Sequence, residues 1–211
     1  MTDFGALLQP DRGQPARDIE LVADFDGWLA RQPARTRAAA AMHRFAARPG
    51  THMLVPDDGD DWHVVAAPAE PGPWSLAKLA EALPEGTYRL SGEPPGDAAL
   101  GWLLAQHRFT RYKTEAAHAR VLLTTEPARI TDMLALAAAV ATVRDLVDTP
   151  AADMGPADLE AAVEALARRH GATVTVVRGD TLAQGFPMIH AVGLAAARER
   201  HPRLLELEWG D

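Results

Sequence analysis

The pattern that most constrains this fold is a long amphipathic helix predicted over residues 127–147. Its apolar residues recur every three or four positions, which places them along one side of a helix; they are Ile130, Met133, Leu134, Ala137, Val140, Ala141 and Val147. Pro127 suits the first helical turn, and Pro150 ends the pattern because the residue before a proline avoids helical backbone. Such a helix has to bury its apolar stripe against another layer of structure.

Predicted strands and helices alternate along the rest of the chain, which is typical of an α/β fold. The predicted strands are 52–56, 62–66, 87–90, 121–124, 204–209 and a β-branched, buried strand over 173–177. The predicted helices are 35–47, 76–83 with Ser75 as its cap, 97–107, and one with Gly155 as N-cap, Pro156 at its first position, His170 at its end and Gly171 after it. At 211 residues the chain has room for one large domain or two small ones.

Composition excludes several classes of protein. There is no cysteine, which excludes disulfides, zinc fingers and thiol catalysis. The formal net charge of −8 argues against sequence-independent binding of nucleic acid, which needs a basic face. The apolar run Met133–Val143 has 11 residues and is too short to cross a membrane, and no signal peptide pattern opens the chain. We therefore expect a cytoplasmic protein without nucleic-acid or membrane partners.

No pattern in the residues assigns a catalytic, cofactor-binding or metal-binding side chain. The eight histidines lie more than four residues apart, so no H-E-x-x-H motif is present, and the nucleophile elbow, the P-loop and the G-x-G-x-x-G fingerprint are also absent. These histidines are His43, His52, His63, His107, His118, His170, His190 and His201. Each is expected to be a surface or core residue more often than a ligand.

Two clusters leave alternatives open. The acidic run Asp57–Asp61 could hold a hard cation, but a solvated hairpin turn is the favoured interpretation. The segment Gln106–Lys113 mixes basic and aromatic residues, as a nucleic-acid surface does. A helix end with cations near its carboxyl terminus explains that segment better in an acidic chain.

The last third of the chain carries a family resemblance. Residues 143–156 (VRDLVDTPAADMGP) resemble the segment R-[DE]-L-[VI]-N-T-P-A-N-x-M-x-P of the leucyl aminopeptidase (cytosol aminopeptidase) family. Residues 185–193 (GFPMIHAVG) and 202–210 (PRLLELEWG) are similar to later motifs of that family in the same order. The chain departs from the pattern at Asp148 and Ala152, where the family has asparagine.

The resemblance implies a macro-domain-like α/β domain over 1–126, a linking helix over 127–149, and the truncated start of an α/β catalytic domain over 150–211. In that family the catalytic domain holds two divalent metals, manganese, zinc or magnesium, removes N-terminal residues from peptides and assembles as hexamers. The motifs that carry the metal ligands, V-G-K-G-x-x-F-D-T-G-G and N-T-D-A-E-G-R, are absent from the 211 residues. The resemblance therefore transfers no catalytic or metal residue to this chain.

Two hypotheses remain from the sequence, with a weaker third in which the macro-domain likeness of residues 1–126 indicates binding of a nucleotide-type ligand. The first is the N-terminal part of such an aminopeptidase, inactive by itself. The second is a non-catalytic α/β module derived from the family, which binds a ligand or oligomerises. Either way, strands 173–177 and 204–209 are expected to be edge or unpartnered strands with exposed apolar faces, which favours self-association or poor solubility.

Overall fold

The structure, a computed structural model, describes residues 2–46, 48–57, 59–113 and 119–210. The chain divides into two compact units, Met1–Thr142 (unit 1) and Val143–Asp211 (unit 2). The boundary between them falls inside the longest described helix, Ile130–Asp148.

A mostly parallel sheet forms the centre of unit 1. Its strands are β1 (Leu8–Pro10), β2 (Arg17–Leu21), β3 (His52–Pro56), β4 (Trp62–Ala66), β5 (Gly86–Leu90) and β6 (Arg120–Thr124). They are arranged in the order β1-β6-β5-β2-β4-β3. Neighbours are parallel except for the antiparallel hairpin of β3 and β4 at one edge. The mixed α/β class predicted from the sequence is therefore confirmed.

Helices precede β3, β5 and β6, and one follows β6; helical crossovers of this kind are what parallel pairing requires. The helices are α1 (Phe25–Ala30), α2 (Ala34–Met42), α3 (Ala77–Ala82), α4 (Ala98–Ala105) and α5 (Ile130–Asp148), which extends into unit 2. Short 3₁₀ turns cover Phe4–Ala6 and Pro127–Arg129. No described helix is both long and apolar enough to cross a bilayer.

Both faces of the unit 1 sheet are buried. Val64 and Val65 of β4 are fully buried in two different apolar clusters, because successive side chains of a strand point to opposite faces. The larger cluster includes Trp102 of α4, whose indole donates a hydrogen bond to the Arg120 carbonyl at 2.8 Å. The smaller one includes Trp28 of α1, whose indole donates to the Glu20 carboxylate at 2.8 Å.

Unit 2 contains a two-stranded antiparallel sheet of β7 (Thr173–Arg178) and β8 (Arg203–Glu208). Its helices, besides the end of α5, are α6 (Pro156–His170), α7 (Gly179–Gly185) and α8 (Pro187–Val192), with 3₁₀ turns over Gly193–Ala195 and Arg198–Arg200. The prediction for α6 is confirmed at both ends. Gly155 is its N-cap, with the Asp158 carboxylate accepting from the Gly155 amide, and Gly171 follows it in left-handed conformation at φ 67°.

Several predictions about helices need correction. The helix expected over 35–47 ends at Met42, where the chain turns through a left-handed residue. Ser75 does not cap α3, because its hydroxyl donates instead to the Gly72 carbonyl. In α5, Ala137 and Ala141 are buried as expected, but Val147 is 77% exposed.

The strands predicted from the sequence are present at their positions, and the burial expected for one of them is wrong. The β3–β4 hairpin matches residue for residue. The strand expected to be buried over 173–177 is β7, whose residues are exposed or half-buried in this chain. Strands β7 and β8 are not unpartnered, since they pair with each other, and each has one outer edge without a strand neighbour among the described residues. Strands β1 and β2 and helix α1 had no predicted counterpart.

Arg44 occupies a backbone conformation that glycine prefers. Helix α2 ends in a Schellman motif, in which the Phe45 amide donates to the Ala40 carbonyl at 3.0 Å and the Arg44 amide to the Ala41 carbonyl at 3.1 Å. Arg44 has φ 50° and is the one non-glycine residue with positive φ in the described ranges. A side chain is disfavoured there because its Cβ crowds the backbone.

We therefore expect Arg44→Gly to stabilise unit 1 by about 0.5–1 kcal/mol, measured by urea unfolding. Arg44→Ala is the matched control, because it removes the charge but keeps the Cβ. Equal effects of the two substitutions would contradict an explanation from backbone strain.

His52 gives unit 1 a pH-dependent stability. Burial, and then the charge of nearby His43, lower the pKa of His52 below its usual value of 6.5. Because the unfolded chain binds the proton more tightly, this contribution to stability is present above pH 6.5 and is lost as the pH falls from 6.5 towards the lower folded pKa.

Urea midpoints compared at pH 7.5 and pH 5.5 should therefore fall more for the wild-type chain than for His52→Gln. His43→Gln removes the smaller of the two causes and should give an intermediate loss. A wild-type loss no larger than that of His52→Gln would show that another group is responsible.

Candidate functional site

The described residues do not form a metal centre. In residues 2–46, 48–57, 59–113 and 119–210, no three carboxylate or imidazole side chains converge in a way that could hold a metal ion. The histidines in these ranges are dispersed over both units. His118 lies outside the described residues, so the expectation for this histidine is not tested.

The acidic run between β3 and β4 forms a hairpin turn, as favoured from the sequence. The Asp57 amide donates to the Asp61 carbonyl at 2.9 Å and closes the turn. The Asp57 carboxylate lies 2.8 Å from His63 Nδ1, and the Asp61 carboxylate accepts from the Trp62 amide. The Asp57 and Asp61 carboxylates therefore bind groups of the protein rather than converging on one point. Asp58 is outside the described residues.

The basic and aromatic segment after α4 also has the favoured structural role. Arg108 donates to the Ala105 carbonyl at 2.9 Å and to the His107 carbonyl at 2.8 Å, which places a cation at the carboxyl end of the helix. The rings of Phe109 and Tyr112 contact each other edge to face, with the Arg111 guanidinium over Tyr112. The aromatic rings contact each other and a cation of the same segment.

The most tightly built polar group lies in unit 2, around Glu160. Its side chain is 7% exposed and binds two guanidinium groups, those of Arg178 and Arg203. Arg203 Nη1 lies 2.5 Å from Glu160 Oε2, and Arg178 binds the other carboxylate oxygen. The two arginines are directly opposite each other in the β7–β8 register, so the sheet presents both to one residue of α6.

This cluster carries one more positive than negative charge. Arg203 is 13% exposed and its Nε atom is buried without a hydrogen-bond partner, whereas Arg178 is 56% exposed. Removing two charges from water is costly unless they are paired, so Glu160 is needed to hold both arginines against the helix. No periodicity or motif of the sequence indicated this group.

A second arginine contact holds the turn between α5 and α6. Arg200 donates to the carbonyls of Ala151 and Ala152 at 2.7 and 2.5 Å. The Thr149 hydroxyl donates to the Asp145 carbonyl one turn earlier and closes the end of α5. The turn therefore depends on backbone carbonyls, which any residue at 152 supplies.

An apolar groove lies where α6 ends beside β8. It has a volume of about 310 Å³ and is lined by Leu166, Ala167, His170, Ala172, Leu207 and Trp209. The Trp209 indole donates to the His170 carbonyl at 3.1 Å, which fixes one wall although the residue is 74% exposed.

A second apolar surface surrounds α8. Met188 is 83% exposed, Val192 is 87% exposed and Leu194 is 71% exposed. Met188 and Val192 are four residues apart and therefore lie on one side of the helix. We call this set, together with Phe186 and Ile189, the α8 surface. It and the groove are suited to binding apolar groups and contain no acid–base pair.

Comparison with known families matches both units. Residues 18–124 match the family described as "M17 aminopeptidase, N-terminal domain", and residues 141–211 match "Cytosol aminopeptidase family, catalytic domain". Among curated proteins, a probable cytosol aminopeptidase of Brucella suis is 34% identical over 165 residues, which are 71% of this chain and 32% of that protein. The chain thus spans about a third of the length of that relative.

Solved structures agree with these matches. A cytosol aminopeptidase of Coxiella burnetii superimposes with a TM-score of 0.82 and 27% identity, covering 97% of this chain and 46% of that one. The bottromycin maturation enzyme BotP, solved in complex with Mn, has a TM-score of 0.67 and 24% identity, covering 96% of this chain and 45% of its own. The second likeness concerns the fold alone.

The Glu160 cluster yields a stability prediction. Glu160→Gln keeps the shape of the side chain but leaves two guanidinium groups without a counter-charge. It should destabilise unit 2 by on the order of 2–3 kcal/mol. The effect should be smaller than in a fully buried cluster, because Arg178 is half exposed. Hydrogen exchange of peptides from residues 156–208 measures this locally.

Glu164→Gln is the matched control on the same helix. Glu164 pairs with Arg168 at 3.7 Å, and both side chains are exposed, so its loss should cost below about 0.5 kcal/mol. Similar exchange rates for the two variants would contradict the structural role assigned to Glu160.

Proposed function

Because the chain belongs to the M17 aminopeptidase family, we propose that it forms the N-terminal part of a two-metal leucyl aminopeptidase that releases N-terminal amino acids from peptides. The observation that carries this proposal is the order of the matches, with an M17 N-terminal domain followed directly by the catalytic domain. The superposition on the Coxiella burnetii enzyme over nearly the whole chain supports the same order. Since the chain spans about a third of its curated relative, the activity of the whole protein belongs to the proposal.

The proposed activity needs two divalent metals, which polarise the scissile carbonyl and activate a water molecule when bound. The described residues do not fit such a centre, because no three of their carboxylate and imidazole side chains lie close enough together to bind a metal ion. The two sequence motifs that would carry the ligands are absent from the 211 residues. No catalytic step is therefore assigned to a residue of this chain, and we propose that the chain is inactive by itself.

The parts of the chain have distinct roles in this proposal. Residues 1–126 form a macro-like domain, residues 127–149 a linking helix and residues 150–211 the beginning of the catalytic domain. We further propose cytoplasmic localisation and assembly into hexamers. The names of the curated relatives support the localisation, while the hexamer rests on the family resemblance.

The direct test is an aminopeptidase assay of the purified 211-residue chain on Leu-p-nitroanilide with added Mn²⁺. We expect no metal-dependent turnover, and calorimetric titration with Mn²⁺ should give no site-specific heat, since the described residues provide no donor set. The intact Brucella suis relative serves as a positive control. Metal-dependent hydrolysis by this chain alone would refute the proposed inactivity.

A further inference from the structure

Unit 2 exposes more apolar surface than its own elements cover. The α8 surface contains Met188, Val192 and Leu194, each more than two thirds exposed. In the groove, Trp209 is 74% exposed and Leu207 is 40% exposed. Contiguous apolar patches of this kind mark interaction sites more often than isolated exposed residues do.

The segment that contains α8 carries no charged residue. Residues 181–197 contain no aspartate, glutamate, lysine or arginine, although these make up 24% of the chain. An anionic nucleic acid or a charged lipid headgroup therefore finds no ionic partner within this stretch. A partner that covers the α8 surface has to be apolar and uncharged where the two meet.

Unit 1 provides the contrast within the same molecule. Its sheet has six strands and apolar clusters on both faces. The sheet of unit 2 has two strands, and such a sheet is marginal in water without a further layer. Unit 2 therefore lacks a covering layer that unit 1 possesses.

The comparisons indicate what supplies this layer. Unit 2 is the part of the chain that matches the M17 catalytic domain. The chain covers 46% of the Coxiella burnetii enzyme and 32% of the Brucella suis protein, so both contain much additional polypeptide. The uncovered apolar surfaces lie on unit 2, which is the unit that matches the catalytic domain.

We propose that the α8 surface and the groove of unit 2 bind the remaining polypeptide of an M17 catalytic domain, and that they do so when it is supplied as a separate chain. This inference rests on the proposed function, since it takes the partner from the same family. The partner inserts apolar side chains between Leu207 and Trp209 and packs an uncharged face against Met188 and Val192.

The test uses the full 211-residue chain and a tagged carboxyl-terminal fragment of the Coxiella burnetii enzyme that begins where the match to this chain ends. The fragment is first required to bind the N-terminal portion of its own enzyme, which establishes its competence. We expect the wild-type chain to co-elute with it in size-exclusion chromatography. Intact Coxiella burnetii enzyme is the negative control. It should not bind the 211-residue chain, because its own N-terminal portion already occupies the contact surface of its carboxyl-terminal part.

Three variants locate the surface. Val192→Glu and Trp209→Ser should each weaken binding about tenfold or more, since they place a charge or a void in an apolar contact. Met42→Glu is the matched control, because Met42 is 74% exposed but belongs to unit 1, and it should bind as the wild type does. All three sites are exposed, so the variants should keep the fold.

Each outcome decides the proposal. Failure of the wild-type chain to bind the competent fragment would overturn it, as would equal binding by Val192→Glu and Met42→Glu. A wild-type chain that dimerises through the same residues and ignores the fragment would assign the surface to a second copy instead. Because the readout is binding, these results stay separate from the hydrolysis assay that tests the proposed function.

Discussion

Burial of a parallel sheet on both faces is the constraint on which unit 1 depends. Ile19, Tyr88 and Leu122 lie on three neighbouring strands and are fully inaccessible to solvent. Such strands need apolar side chains on both faces, so Val64 and Val65 contribute to different clusters. Helices α3 and α4 contribute buried side chains to the larger cluster, and α1 and α2 contribute buried side chains to the smaller one. Trp102 is fully buried in this arrangement.

Unit 2 is held together differently. Two strands cannot bury much apolar surface, and its most buried polar contact is the Glu160 carboxylate between two arginines. Such a charge cluster is costly to form and costly to break, so it fixes how α6 lies on β7 and β8 more than it adds net stability. The same unit leaves Val192 and Trp209 exposed. Its buried carboxylate is thus paired with two arginines, while part of its apolar surface stays exposed.

Much of the fold could be predicted because local patterns agree with the tertiary structure. The caps of α6 at Gly155 and Gly171 and the hairpin around Asp57–Asp61 follow from backbone preferences that act over a few residues. Val147 fits the helical periodicity but stays exposed, since periodicity alone does not say where the opposing layer ends. The end of α2 was not predicted, because Arg44 occupies the position at which a glycine usually marks the end of a helix.

The candidate site was less accessible from sequence, for a physical reason. Glu160, Arg178 and Arg203 are far apart along the chain and meet only through the β7–β8 register, which no local pattern specifies. The functional assignment came from linear motifs around residues 143–156 and 185–193, which the family matches support. Fold alone does not determine function, which depends on the chemistry of particular side chains. In this chain the motifs indicate the family, while the described side chains supply exposed apolar surfaces and no cluster of metal ligands. The proposed hydrolysis therefore depends on further polypeptide, which the proposed docking would bring to those surfaces.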